Sequence, residues 1–294
     1  MSSREGALGY AFVSPTVFLI VALILYSILR GIQLSFYDIH LLRGGEDIFV
    51  GFQNYIRMAN DPVLPNVILN TFIWIAFGVS LTVLLGLATA LFLDLKFRAR
   101  TFLRVVILIP WVLPDVDVGA IWKWLLDTQV GILNQFLITI GIIKNPIEWL
   151  SSPDLALFSV TGVMIWRLFP FIGLLTLAAM QTIPTELYEA ANVDGASRYG
   201  KFRHITLPHL AFTLILGSLI LTIWFMNNFA IIWITTGGGP GHATDTLATY
   251  IYKVAFQFLR MSDAATISVV TFSIIGIFSL VYLFVLRKYW AGEI

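Results

Sequence analysis

Long stretches without a charged residue dominate the chain. Gly6 to Leu29 is 24 residues without Asp, Glu, Lys or Arg, Pro62 to Leu93 is 32, and His204 to Thr244 is 41. An α-helix needs about 20 mostly apolar residues to cross the hydrocarbon core of a bilayer. Six spans follow from the pattern: 6–29, 66–93, 103–126, 155–180, 210–234 and 264–286. The third contains Asp115, Asp117 and Lys123, the fourth contains Arg167, and the fifth is interrupted by Asn227-Asn228. The first, led only by Arg4, has no small-residue cleavage site at signal-peptide distance, so it is read as a retained span.

Six spans put both ends on one side. The densest basic cluster, Lys96, Arg98, Arg100 and Arg104, sits tight against the second and third spans and sets that side as cytoplasmic by the positive-inside rule. The segments between spans on the opposite side read as ordered excursions, with turns at Gly44-Gly45, Pro62 to Pro65 and Asn145-Pro146. Trp122, Trp124 and Trp149 fall near the expected outer interface, where an amphipathic ring is favoured.

Composition agrees with this reading and narrows it. Of 294 residues 58% are hydrophobic and 12% are charged, about half the usual charged fraction, and the mean hydropathy is +0.86. A water-soluble enzyme is excluded, because it would expose more apolar surface than water tolerates. A net charge of +1 leaves no nucleic-acid footprint, and the absence of cysteine removes disulfides, thiolate metal sites and thiol catalysis.

The connector from Thr182 to His209 is unlike a simple loop. Thr185 after Pro184 suits an N-cap, with Glu186 and Glu189 expected in the first turn, where the helix dipole favours carboxylates. Leu187, Ala190 and Ala191 share a face, Asp194-Gly195 offers a stop and turn, and a second short helix is expected over 196–203 before Pro208 opens the fifth span. Such a segment makes a compact docking knob in which small side chains allow close approach. An amphipathic loop lying on headgroups, with Arg198, Lys201 and Arg203 facing phosphates, is the other reading.

Glu189-Ala190-Ala191, then Gly195, then Ile205-x-Leu207-Pro208 resembles the EAA loop of binding-protein-dependent ABC importer permeases. The longer run from Pro184 to Ala196 is similar to the carbohydrate-importing branch. Phe52-x-Asn54-Tyr55, Leu108-x-Pro110, Trp166-Arg167-x-x-Pro170-Phe171 and Thr236-Gly237-Gly238-Gly239-Pro240 agree in order and spacing, so the resemblance covers essentially the whole chain. The C-terminal stretch Arg287-Lys288-Tyr289-Trp290, without a glycine-rich tail, resembles the half related to larger maltose permease subunits and glycerol-phosphate permeases.

That resemblance implies an all-α integral membrane protein with the six-helix type I ABC importer permease fold and a cytoplasmic coupling helix between spans four and five. It implies a first helix and outer segment over 1–65, a transmembrane core over 66–287 with the coupling helix at 185–203, and a cytoplasmic tail over 288–294. The expected partners are a second homologous permease subunit, two ATP-binding subunits and an extracytoplasmic solute-binding protein, in a bacterial or archaeal inner membrane. Glu189, Ala190, Ala191, Asp194 and Gly195 would seat in the ATPase, with Glu189 pairing a basic residue there. The chain itself would hold no cofactor. ATP and magnesium belong to the partners, since Gly195 to Phe202 only approaches a P-loop, lacks its terminal Ser or Thr, and follows a helix rather than a strand.

The same resemblance puts Arg167, Leu168, Phe171, Trp224 and Asn228 on the sugar-lining face, and Met164, one turn earlier, extends it. An intramembrane guanidinium is a functional candidate on physical grounds as well, and aromatic platforms with amides are what a sugar site requires. Arg167 paired with Asp115 or Asp117, locking spans together, is the other reading. Of Asn227 and Asn228, helical neighbours about 100° apart leave one facing a cavity, and Asn228 is the one expected. Asp115 and Asp117 point to nearly opposite helix faces and cannot chelate one ion without unwinding after Pro114. His40, His204, His209 and His242 share no ligand spacing and are expected at the surface, and 237–241 is expected as a turn. The rival transport class is an ion-coupled secondary carrier using Asp115 or Asp117. An integral membrane enzyme would need a clustered acid, base or metal set.

Overall fold

The structure is a computed structural model that describes residues 3–39 and 47–290. The expected Gly44-Gly45 turn, His40 and the last residues of the tail lie outside the described residues. Among the described residues, α1 (Ser3–Leu34) leads into a short antiparallel ribbon of β1 (Tyr37–Asp38) and β2 (Ile48–Phe49), with Tyr37 opposite Phe49. Then come α2 (Gln53–Ala59), α3 (Leu64–Asp94), α4 (Arg100–Val112), α5 (Asp115–Leu125), α6 (Ile132–Thr139) and α7 (Pro153–Met180). The chain continues through α8 (Thr185–Val193), α9 (Arg198–Lys201), α10 (Leu207–Asn227), α11 (Ala230–Thr235), α12 (Leu247–Tyr252) and α13 (Met261–Trp290).

Five helices are long and apolar enough to cross a membrane, and six spans result if α4 and α5 count as one. Those two are bent by 96° at their junction, which corrects the expected straight third span. Pro114 removes a backbone donor and pushes the residue before it out of the helical region, so Leu113 and Pro114 both take extended backbone, with ψ of 138° and 146°. The fifth span is corrected twice. No separate helix ends at Arg203: α9, a π-helical turn over Phe202–Thr206 and α10 run on as one helix from Arg198 to Asn227. In that turn Leu207 N–H donates to Phe202 O, five residues back, and the widened turn accommodates the donor that Pro208 lacks. At the far end Asn228 is extended (ψ 114°), so the helix breaks before α11.

The chain forms two compact units. The first comprises Met1–Leu64 and Ile251–Ile274. Here Asn54, fully buried, donates its amide to the carbonyls of Ser35 (2.9 Å) and Tyr37 (2.8 Å), which fixes the chain as it leaves α1. Phe52 packs edge-on against Phe36, and Tyr55 Oη lies 2.8 Å from Ser35 Oγ. Arg57 pairs with Asp263 at 3.4 Å and Asp38 at 3.9 Å, and Arg260 also pairs with Asp263. The Phe52-x-Asn54-Tyr55 motif is therefore a structural clasp. Along α1 the apolar side chains from Phe12 to Leu29 are largely uncovered, as a lipid-facing helix requires.

The second unit comprises Pro65–Tyr250 and Ile275–Ile294. Its core gathers Trp74, Met164, Leu168, Ile172, Leu221, Phe225, Ile231 and Ile232, all buried, with α7 its most enclosed helix. Trp74 donates its indole N–H to Phe225 O at 2.8 Å, the rings meeting edge to face. Close approach of α3 and α10 depends on Gly78, where a Cβ would stand 2.1 Å from Phe225 Cε1. Trp122 departs from its expected interfacial role. It packs edge-on against Trp166 beside this core, with its N–H buried and unbonded among the described residues. Trp124 is exposed, and Trp149 donates to Asn134 Oδ1 at 2.9 Å, tying the segment after α6 in place.

Candidate functional site

The two helix breaks of the second unit face one another. Asp115, the first residue of α5, lies with its Oδ1 2.7 Å from Arg167 Nε on α7. Its Oδ2 accepts a hydrogen bond from Asn228 Nδ2 at 2.9 Å, while Asn228 Oδ1 accepts from Ile231 N and so caps α11. The Arg167 Nε–H itself points at the Leu113 carbonyl (3.4 Å), one of the acceptors freed by the break. Three elements thus meet at one carboxylate. Asp117 is exposed and takes no part.

Around this knot opens a cleft of about 420 Å³ lined by Trp111, Asp115, Met164, Arg167, Trp224, Asn227 and Asn228. Ligand clefts are commonly about 300–1,000 Å³. Four of the expected residues, Met164, Arg167, Trp224 and Asn228, are on its wall. Phe171 stands between two wall residues, stacked on Trp111 (centroids 5.6 Å apart) and tilted against Trp224 (4.9 Å). Leu168 is a correction: it is fully buried in the core, because the residue after Arg167 turns away into the packed side of α7. The choice of Asn228 over Asn227 is a correction as well. Both line the cleft, since α10 stops at Asn227 and the 100° rule of helical neighbours no longer applies to an extended Asn228.

The segment 237–241 is the expected turn, with positive φ at Gly237, Gly238 and Gly241. His242 beside it is not a simple surface residue. Its Nδ1 lies 2.6 Å from Oδ2 of the fully buried Asp245, and Asn70 on α3 donates to the carbonyls of both. His204 and His209 are exposed as expected.

The connector after α7 projects from its unit. All nine residues of α8 are exposed or half-buried, including Glu189, Ala190 and the apolar Val193 at 88% exposure. Pro184, not Thr185, holds the N-cap position, and no side chain caps it, because the proline starts the helix one residue earlier than expected. Glu186 alone is acidic in the first turn; Glu189 lies beyond it. The C-terminus is a Schellman closure, with Gly195 N–H to Asn192 O (3.1 Å) and Ala196 N–H to Ala191 O (2.8 Å). Gly195 takes φ +70°, where a Cβ is penalised. Two features stiffen the knob: Tyr188 Oη lies 2.9 Å from Thr206 Oγ1 in the π-helical turn, and Ser197 Oγ accepts from Gly200 N to cap α9.

Residues 82–288 match the family described as binding-protein-dependent transport system inner membrane component. The chain belongs to this family. This permease is similar to the trehalose/maltose transport system permease protein of Thermococcus litoralis, 35% identical over 95% of this chain and 94% of that protein. The sulfoquinovosyl glycerol transport system permease protein of Agrobacterium fabrum is 34% identical over 95% and 90%. A chain of a bacterial ABC transporter involved in import of the acidic polysaccharide alginate shares the fold, with a TM-score of 0.83, 22% identity and coverage of 97% and 96%. The permease is a multi-pass membrane protein of the type I ABC importer fold. An ion-coupled carrier built on Asp115 or Asp117 is not favoured: Asp115 is committed to Arg167 and Asn228, and Asp117 is exposed.

Sequence reasoning missed Trp111 in the cleft and Ser197 and Tyr188 in the knob, and it set Asn227 aside in favour of Asn228. Trp111 had one visible signal, its place directly after Pro110 in Leu108-x-Pro110-Trp111 and four residues before Asp115.

Proposed function

We propose that this permease is the translocation subunit of an ATP-driven carbohydrate importer and moves its cargo by alternating access. The observation that carries this is the cleft: two indoles joined through Phe171, facing an arginine and two amides, in a chain whose relatives include trehalose/maltose and lactose permeases. Aromatic faces suit the C–H surfaces of sugar rings, and the amides and guanidinium suit hydroxyls. Met164, Arg167, Trp224 and Asn228 bind substrate, with Trp111 and Asn227 added and Phe171 supporting both indoles.

The subunit carries out no covalent chemistry. It pairs with a second, homologous permease subunit, two ATP-binding subunits that hold ATP and magnesium, and a solute-binding protein outside. Its termini are cytoplasmic, and its frame is the division into 1–65, 66–287 and 288–294. The α8–α9 segment is the coupling helix: Glu189, Ala190, Ala191, Asp194 and Gly195 seat in the ATPase. A stiff knob transmits displacement better than a loop, and the Tyr188–Thr206 contact links it to the helix that ends at Asn227 and Asn228.

The test is mild-detergent purification of the tagged chain from its native membrane. Co-purification of an ATPase and a second permease is expected, with uptake of maltose, trehalose or lactose into proteoliposomes that stops without ATP. A lone chain, or uptake driven by an ion gradient without ATP, would overturn the reading.

A further inference from the structure

On this chain the wall of the cleft carries one cation, Arg167, and one anion, Asp115, and the two are bound to each other at 2.7 Å. Asp115 Oδ1 is buried against the guanidinium, and Oδ2 accepts from Asn228. The carboxylate is therefore engaged at both oxygens while its side chain stays about 31% exposed on the wall. The two Nη groups of Arg167 meet no acceptor among the described residues, and Asn227 lies exposed on the same wall. The cleft thus presents hydrogen-bond donors whose positive charge is already countered. An uncompensated guanidinium in such a site would favour a carboxylate or sulfate held by two parallel hydrogen bonds. With Asp115 in place, an anionic cargo would instead set a second anion against the first, with one guanidinium between them, and burying surplus charge is unfavourable. Family membership leaves this open, since the similar proteins include a trehalose/maltose permease and a chain of an importer of acidic polysaccharide.

We propose that the cleft takes uncharged carbohydrate, and that Asp115 sets this preference by neutralising Arg167. The inference rests on the cleft being the carbohydrate path. Asp115 acts as a specificity-determining residue through the arginine and need not touch the cargo.

The test uses the intact complex with its partner subunits in nanodiscs, without binding protein. The probes are methyl α-D-glucoside and methyl α-D-glucuronide, which differ only in a hydroxymethyl or a carboxylate at one carbon. Saturation-transfer difference NMR reads the ratio of their affinities. The unsubstituted complex is expected to prefer the glucoside at least ten-fold. Asp115→Asn keeps the shape and the hydrogen-bond acceptor but frees the cation, and should shift the ratio at least ten-fold toward the glucuronide. Adding Arg167→Gln to it should cancel the shift, whereas a mere loosening of the helices would persist. Arg167→Gln alone, which leaves Asp115 uncompensated, should widen the preference for the glucoside. An unsubstituted complex that prefers the glucuronide, or an unchanged ratio in Asp115→Asn while Trp111→Ala weakens both sugars, would overturn the charge inference alone. Glucoside binding untouched by both Trp111→Ala and Trp224→Ala would overturn the cleft as the sugar path, and the inference with it.

Discussion

Asn228 donates to Asp115 across 2.9 Å, joining the residue at which α10 gives way to extended backbone to the first residue of α5. Each residue stands at a place where a spanning helix is broken, and each break frees backbone groups that a continuous helix would satisfy internally. Asn228→Ala leaves one carboxylate oxygen without its donor, a loss of about 1 kcal/mol for a half-buried hydrogen bond that water can partly replace. Asn228→Asp should be worse, because two carboxylates would then face each other. Thermal unfolding in detergent and sugar uptake should both rank the variants as unsubstituted, then Ala, then Asp. Variants as stable as the unsubstituted chain would show that the contact does not hold the breaks together.

Glu189 and Val193 stand out on α8 with no covering side chain in their own unit among the described residues. Glu189→Lys should abolish co-purification of the ATPase and sugar-stimulated ATP hydrolysis while membrane insertion stays normal. Ser197→Ala, which removes only the α9 cap, should cost about 1 kcal/mol and leave assembly intact. Retained ATPase binding in Glu189→Lys would remove this residue from the interface.

Gly195 closes α8 at φ +70°. Gly195→Asn, which tolerates left-handed backbone, should couple nearly normally. Gly195→Val should destabilise the corner by about 1–2 kcal/mol and loosen the knob, seen as ATP hydrolysis per sugar transported rising above that of the parent. If the valine variant keeps the parental ratio, corner rigidity has no role in coupling.

The Phe225 ring leaves no space at Gly78 for even one methyl group. Gly78→Ala should lower stability by about 1–3 kcal/mol through overpacking, and Phe225→Leu in the same chain should recover part of the loss. The double-mutant cycle in thermal unfolding tests this directly, with additive effects as the adverse result.

Asp127 follows α5 and accepts N–H bonds from Val130 and Gln129, which hold its carboxyl below the ordinary value of 3.8. A depressed carboxylate pKa means the turn is supported above the unfolded value and loses that support as pH falls through the folded one. Carbon NMR should follow Asp127 titrating below the ordinary aspartate value of 3.8, taken as the reference. Titration at or above the reference would show that the turn is not formed.

The spans were legible because a run such as Gly6 to Leu29 has only one favourable solvent, and the knob because Gly195 and Pro184 punctuate it locally. Order along the chain sufficed for the family as well. The 96° break was half legible: Pro114 announced it, but an apolar count over 103–126 averages across a bend. Whether Arg167 faced substrate or Asp115 was not decidable from either residue, since both lie on spans long enough to place a charge at many depths.

What the sequence by itself determined is the presence of several membrane-crossing stretches, the exposed knob and the transporter family, because hydrophobic length, turn residues and motif spacing are local properties. Only the tertiary structure decided that Arg167 pairs with Asp115 rather than Asp117. It also put Asn227 and Asn228 together on the cleft wall, sent Leu168 into the core, and joined Trp111 to Trp224 through Phe171. Those outcomes depend on where two helices break and which faces then meet across the sequence separation of 113 positions from Asp115 to Asn228. Long-range packing supplies that geometry, and no local pattern encodes it.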